Sequence, residues 1–342
     1  MAVSETSPMG CTWQRYLEHL TEEHGGWTAL THTLMRRAGP WAGLPIDPGT
    51  IERGLRRLRS RGNASGGQYG RWLLHYFGVP QPLDDTARWM GRYHGRFADL
   101  PLSLREAQLR LWDRPPIAES PAACWGHLGL ASVALRRRNP QDARLRLAHA
   151  AETAYVVDTA HMADTGHGFK TAHMAVAAQV ESALLEARLE MDAGQAAHAD
   201  EALARARAQV ARLPPGGERD CYHARWADQR AYRLIHAGPQ PRLLAAARLY
   251  RSINVHSPAA FALFRRDHGL AYCHWKLGDR DRAIHHARAA AEQAGDAGLL
   301  RFRVMALQLL AHIEPSEAHQ LHSRANRIIT ELKHADLKPR ST

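Results

Sequence analysis

The chain has 342 residues, 45% of them hydrophobic, with 26 Gly and 18 Pro; this apolar content marks a folded protein and excludes a wholly disordered one. A formal charge of +11 suits an anionic partner, yet it comes from 41 Arg against four Lys, a bias that genome composition alone can produce. The stretch "MAVSETSPMGCTWQRYLEHL" has no positive segment followed by an apolar run, and nowhere do roughly 18 apolar residues follow one another, so a cytoplasmic protein without membrane contact is expected.

Four helices are predicted first, at about Thr12 to Glu23, Trp27 to Arg37, Pro48 to Arg61 and Gln68 to Phe77. The third has a start signal in Asp47-Pro48, because Asp can cap free amides and Pro fits the first helical position. Gly62 is a suitable terminator. At 100° per residue, a helical repeat gathers Ile51, Gly54, Leu55 and Leu58 on one side. Arg53, Arg56, Arg57 and Ser60 occupy the opposite arc, with Arg59 and Arg61 at its edges and Glu52 as the one acid. A cationic face of that width can meet phosphates and base edges. It can equally be a solvated or interdomain surface, or contact RNA.

Trp27, Leu30, Leu34 and Ala38 form an apolar stripe on the second helix, so the second and third helices together resemble a helix-turn-helix. The connection "GPWAGLPIDP" is longer than the usual turn, which suits a winged or otherwise elaborated form with "GNASGGQYG" as a flexible hairpin-like connection. Tyr69, Trp72, Tyr76 and Phe77 fall at helical spacing and read as a core face in preference to a base-stacking platform.

"FGVPQPLDD" punctuates the chain near residue 80, giving a first domain over 1–80. Helix pairs follow over 81–333, with turns around Asn139, Gly194, Gly238, Gly278 and Pro315, and 334–342 reads as a flexible tail. Runs such as "VESALLEARLEMDAG" are rich in Ala, Leu and Arg, strong helix formers. The fold class expected is all-α: a small helix-turn-helix-like domain followed by an array of α-hairpins.

The clearest hairpin, residues 268–294, resembles a tetratricopeptide repeat through Gly269, Ala271, Tyr272, Leu277, Gly278, Ala283 and Ala290. Gly278 can end the first helix in a left-handed conformation, and Asp279 or Asp281 can cap the second. Residues 127–154 repeat the Gly-Leu-Ala triplet at Gly129 and the small Ala143. On the helix around Phe261 to Leu277, Phe261, Phe264, Ala271, Tyr272 and Trp275 make one packing arc. Arg266, Leu270 and Cys273 make another, which matches the groove-facing side of the family's first helix and is the candidate partner-binding surface; packing against an adjacent repeat is its alternative.

Chemistry is poorly represented. Cys11, Cys124, Cys221 and Cys273 form no Cys-x-x-Cys pair and read as buried thiols. His161, His167 and His173, with Asp158 and Asp164, are spaced six residues apart and do not share a helical face, so no metal is expected there. No nucleophile elbow, phosphate-binding loop or dinucleotide fingerprint occurs, and neither an enzyme nor a cofactor is expected.

A helix-turn-helix-like head before a tetratricopeptide-like array resembles the bacterial peptide-sensing transcription regulators. That resemblance implies duplex DNA binding by the head, a peptide or protein in the array's groove, and a homodimer that sets half-site spacing. The competing expectation is an adaptor that binds proteins and no DNA.

Overall fold

In a computed structural model, residues 10–39, 43–160, 168–236 and 241–332 are described, with side chains at 154–160 and 168–174 outside that description. Among the described residues there are sixteen α-helices, two short 3-10 turns and no strand. No helix among them is long and apolar enough to cross a membrane. The chain forms two compact units: Met1–Arg92 with Leu104–Leu130 and Ala148–Ala163, and Tyr93–Ser103 with Ala131–Leu147 and Asp164–Thr342.

In the first unit, α1 (Trp13–His24), α2 (Trp27–Ala38), α3 (Pro48–Arg59) and α4 (Gly67–Phe77) pack against one another around Trp13, Tyr16, Leu30, Leu34, Ile51, Leu55 and Leu73. Thr12 caps α1 by accepting from the Arg15 amide, and Asp47 caps α3 by accepting from the Gly49 and Thr50 amides at 3.1 and 2.8 Å. Helix α3 stops at Arg59, two residues before the expected end, so Ser60 and Arg61 lie in the turn beyond it.

"GNASGGQYG" is a pinned turn and not a hairpin. Asn63 donates to the carbonyls of Cys11 and Pro115 at 2.5 and 2.7 Å, and the Trp13 indole donates to the Ala64 carbonyl at 3.0 Å. Gly66 and Gly70 lie flat against the Trp13 ring, where a Cβ would collide. This close approach shifts the core of α4 onto Gly70, Leu73 and Leu74. Tyr69, Trp72, Tyr76 and Phe77 are consequently half-buried and flank that core instead of forming it. Later in this unit follow α5 (Gln81–Gly91), α6 (Leu102–Trp112) and the start of α7 (Ala123–Arg136), where Gly129 admits the Leu109 side chain.

The second unit takes up α7 from Ala131 and the first half of α8 (Pro140–Ala160), then α9 (Gly168–Asp192) and α10 (Ala196–Arg212). Next come α11 (Gly217–His236), α12 (Leu243–Arg251), α13 (Ala260–Lys276), α14 (Arg280–Asp296), α15 (Leu300–Ile313) and α16 (Ala318–Glu331). Successive helices from α9 to α16 pack on their neighbours as helical hairpins. Phe261, Phe264 and Phe302 centre the core at ring separations of 5.1 Å, and the alanines of α14 at 283, 287, 290 and 294 let helices approach closely around it.

One turn motif recurs. A residue with positive φ follows the helix, and the next amide reaches back five residues: Gln195 to the Glu190 carbonyl after Gly194, Asp279 to His274 after Gly278, Leu299 to Ala294 after Gly298. Asn139 does the same to Ala134, but the left-handed residue there is Arg138, at φ 58°. The expected turns at Asn139, Gly194, Gly278 and Pro315 are present, whereas Gly238 lies outside the described residues. Asp279, not Asp281, caps α14, accepting from the Arg282 amide at 3.3 Å.

Candidate nucleic-acid interface and an arginine-lined cavity

Burial of Ile51, Leu55 and Leu58 fixes the rotation of α3 and turns its arginines outward. Gly54 makes the remaining contact, lying so close to the Tyr69 ring of α4 that any side chain there would overlap it. The arginines then divide by what they touch. Arg56 donates twice to Glu52, at 2.7 and 3.0 Å, and stacks 4.9 Å from the centre of the Trp27 ring. Arg59 pairs with Glu18 at 3.1 Å.

Arg53, Arg57 and Arg61, each four residues after the last, line one cleft of about 360 Å³ together with Gly66, Gly67 and Tyr69. Arg53 donates to the Thr50 hydroxyl at 2.9 Å and lies 3.6 Å from Asp47. Asp47 itself is held below the ordinary carboxylate range, first by the Thr50 hydroxyl and then by the Gly49 amide. Arg61 donates to the Ser65 carbonyl at 2.9 Å, leaving its charge uncompensated by that bond. Arg57 makes no ion pair among the described residues. The start of α4 borders the same cleft, and its leading amides already have acceptors: Gly66 donates to the Glu119 carboxylate at 3.3 Å and Gly67 to the Ser65 hydroxyl at 3.4 Å. The Ser60 hydroxyl donates to the Arg57 carbonyl at 2.8 Å and so serves the end of the helix.

The expected partner-binding arc is mostly closed: Leu270 is 2% and Cys273 0% exposed, and Arg266 pairs with Asp267 at 2.9 Å. They pack inward because α13 has helices against it on several sides, α11, α12, α14 and α15. Its open face is rotated from the expected one and carries Arg265, His268, Gly269 and Tyr272, which border a cavity of about 1160 Å³ in the second unit. Tyr272, read from the sequence as a packing residue, therefore lines the cavity.

Deep in this cavity the charges are paired. Arg225 (3% exposed) meets the fully buried Glu181 at 2.5 Å, and Arg265 (6% exposed) meets Asp228 at 3.1 Å. Asp228 also accepts from the Tyr250 hydroxyl at 3.0 Å. Tyr93 sits among the guanidinium carbons of Arg225 and Arg301, 4.7 and 4.5 Å from its ring centre, and accepts from Arg265 at 3.3 Å. Burial raises its phenol pKa, but Arg301, Arg265 and Arg225 outweigh burial and bring it down to about 8. His268 is pushed down to about 4, by burial and then by Arg265.

Arg136, Arg137, Arg138, Arg144 and Arg188 contribute the remaining positive lining. Sequence reading missed the seven lining arginines, although "RRRNP" at a turn was a visible signal, because they come from five helices and a turn far apart in the chain. All four cysteines are free and buried. Among the described residues no group of His, Cys, Asp and Glu can hold a metal; the side chains of His161, His167 and His173 lie outside that description. No family model, curated protein or solved structure matches the chain.

Proposed function

We propose that the protein is a DNA-binding transcription regulator whose helical-hairpin unit receives the controlling partner. The observation that carries this reading is the alignment of Arg53, Arg57 and Arg61 along one cleft. Guanidinium groups hold phosphate oxygens strongly, and three of them line this one cleft. The α2–α3 pair supplies the helix-turn-helix-like frame, and the hairpins from α9 onward support a tetratricopeptide-like array in which a peptide or protein binds, as the family resemblance implies. A second reading, an adaptor without DNA contact, is favoured by Arg53, Arg56 and Arg59, whose charges already have carboxylate partners.

Fluorescence anisotropy with a short labelled duplex separates the two. Replacing Arg53, Arg57 and Arg61 together by Ala is expected to weaken binding and flatten the slope of log affinity against log salt by about three. Arg56→Ala should leave both nearly unchanged. A parent protein that binds no duplex at low salt, or a triple variant that binds as well as the parent, overturns the DNA reading.

A further inference from the structure

The cavity of the second unit joins two features that a simple packing defect lacks. Seven arginines but only two aspartates line it, and two of those arginines are more than nine-tenths buried. The buried Arg265 also keeps its Nε without a hydrogen-bond partner. At about 1160 Å³ the space exceeds the roughly 300–1,000 Å³ of ordinary small-molecule pockets. Glu181 and Asp228 already hold the two buried arginines, so the positive charge open to an anion belongs to the outer ones.

The outer arginines indicate which anion. Arg188 holds Asp192 at 2.9 Å and Arg144 holds Glu190 at 3.5 Å, and both arginine side chains are about half exposed. Asp192 is also about half exposed, and an exposed pair such as Arg188–Asp192 contributes little net stability, roughly 0–1 kcal/mol, so an incoming anion can replace that carboxylate. A carboxylate ligand would exchange like for like. A terminal phosphoryl group brings about two negative charges and three acceptor oxygens to the same guanidinium, and therefore gains on the exchange.

An aromatic surface is available beside those arginines. Tyr232 lines the cavity and is 44% exposed, with its ring 4.3 Å from that of His236 and 5.8 Å from the Arg188 guanidinium. Tyr272 lines the cavity as well. A flat ring can stack on such a side chain while the charged end of its molecule reaches Arg188 and Arg144.

We infer that this cavity binds a small phosphorylated molecule carrying an aromatic ring, of the nucleotide class. The inference goes beyond DNA recognition and stands apart from it, because the head's cleft contributes no residue to the cavity.

The test is calorimetric titration of the full chain, free of nucleic acid, with ATP, GTP, CTP and UTP in turn, and with inorganic tripolyphosphate, adenosine and hexaglutamate. At least one nucleoside triphosphate is expected to bind, tripolyphosphate more weakly, and adenosine and hexaglutamate not at all. Arg188→Gln should weaken the bound nucleotide and tripolyphosphate alike. Tyr232→Ala should weaken the nucleotide about tenfold, which is the loss of one stacking contact, and leave tripolyphosphate unchanged. Circular dichroism melts of both variants verify that the fold is retained. Hexaglutamate binding as tightly as any nucleotide, no binding by any of the four triphosphates, or full affinity in both variants overturns the inference. Failure of duplex binding does not enter this experiment, so the two readings fail separately.

Discussion

Arg53, Arg57 and Arg61 in one unit and Arg225, Arg265 and Arg301 in the other carry the same guanidinium, but the first three stand in solvent and the last three are enclosed. In the first group the helix is held by apolar residues on its far side, and the charges are exposed, with Asp47 at 3.6 Å from Arg53 as their one carboxylate neighbour among the described residues. In the second, the charges are part of the packing itself, each lying against tyrosine or phenylalanine rings. Removing a member of the first group should therefore alter binding and spare the fold. Removing a partner from the second should destabilise the fold.

The largest effect that sharpens this contrast is expected for Glu181→Ala, which leaves Arg225 buried without its carboxylate. Urea unfolding should show a loss of about 3–5 kcal/mol. A loss below about 1 kcal/mol would mean that the rings of Tyr93 and Tyr222 suffice to hold the guanidinium, and the contrast would break.

A smaller effect concerns alkaline pH. Because the Tyr93 phenol is lowered from its ordinary 10.0 to about 8, the folded protein loses that proton before the unfolded chain does. Its contribution to stability is fully present above pH 10 and disappears as pH falls through about 8. The stability difference between the parent and Tyr93→Phe should thus grow by roughly 3 kcal/mol across that window. A constant difference would show that the surrounding arginines do not act on Tyr93.

The smallest effect lies in the exposed group. Arg56→Ala removes the Glu52 pair and the Trp27 contact, and thermal denaturation should report a loss of about 0.5–1 kcal/mol. Arg57→Ala should leave the melting temperature unaltered, since Arg57 has no such partners. Equal losses would make Arg57 a structural residue.

Local features were the most readable from sequence. Asp47 and Asp279 announce helix starts, Gly194 and Gly278 announce left-handed turns, and the Ile51/Leu55/Leu58 period announces the buried side of α3. Each depends on a few adjacent residues. The small size of Gly269 was legible too, but not its purpose: it admits the Tyr250 ring of the preceding helix. The open face of α13 could not be read, because helical phase fixes which residues share an arc but not which arc a neighbouring helix covers. Leu270 and Cys273 went inward and Tyr272 outward for that reason. The cavity was hidden by the same limit, since its arginines are remote in sequence and meet only through packing. In the head, the cleft depends on α4 starting at Gly67 opposite α3, a tertiary fact that the arginine count alone does not contain.

Arg138 closes the α7–α8 turn in the backbone conformation that Gly194, Gly278 and Gly298 adopt elsewhere, and it is the one non-glycine residue with positive φ among the described residues. A side chain there is strained where glycine is not. The same arginine borders the cavity. Directed evolution for heat resistance and directed evolution for an anionic ligand would consequently pull this codon in opposite directions, the first toward glycine and the second toward the arginine it already encodes.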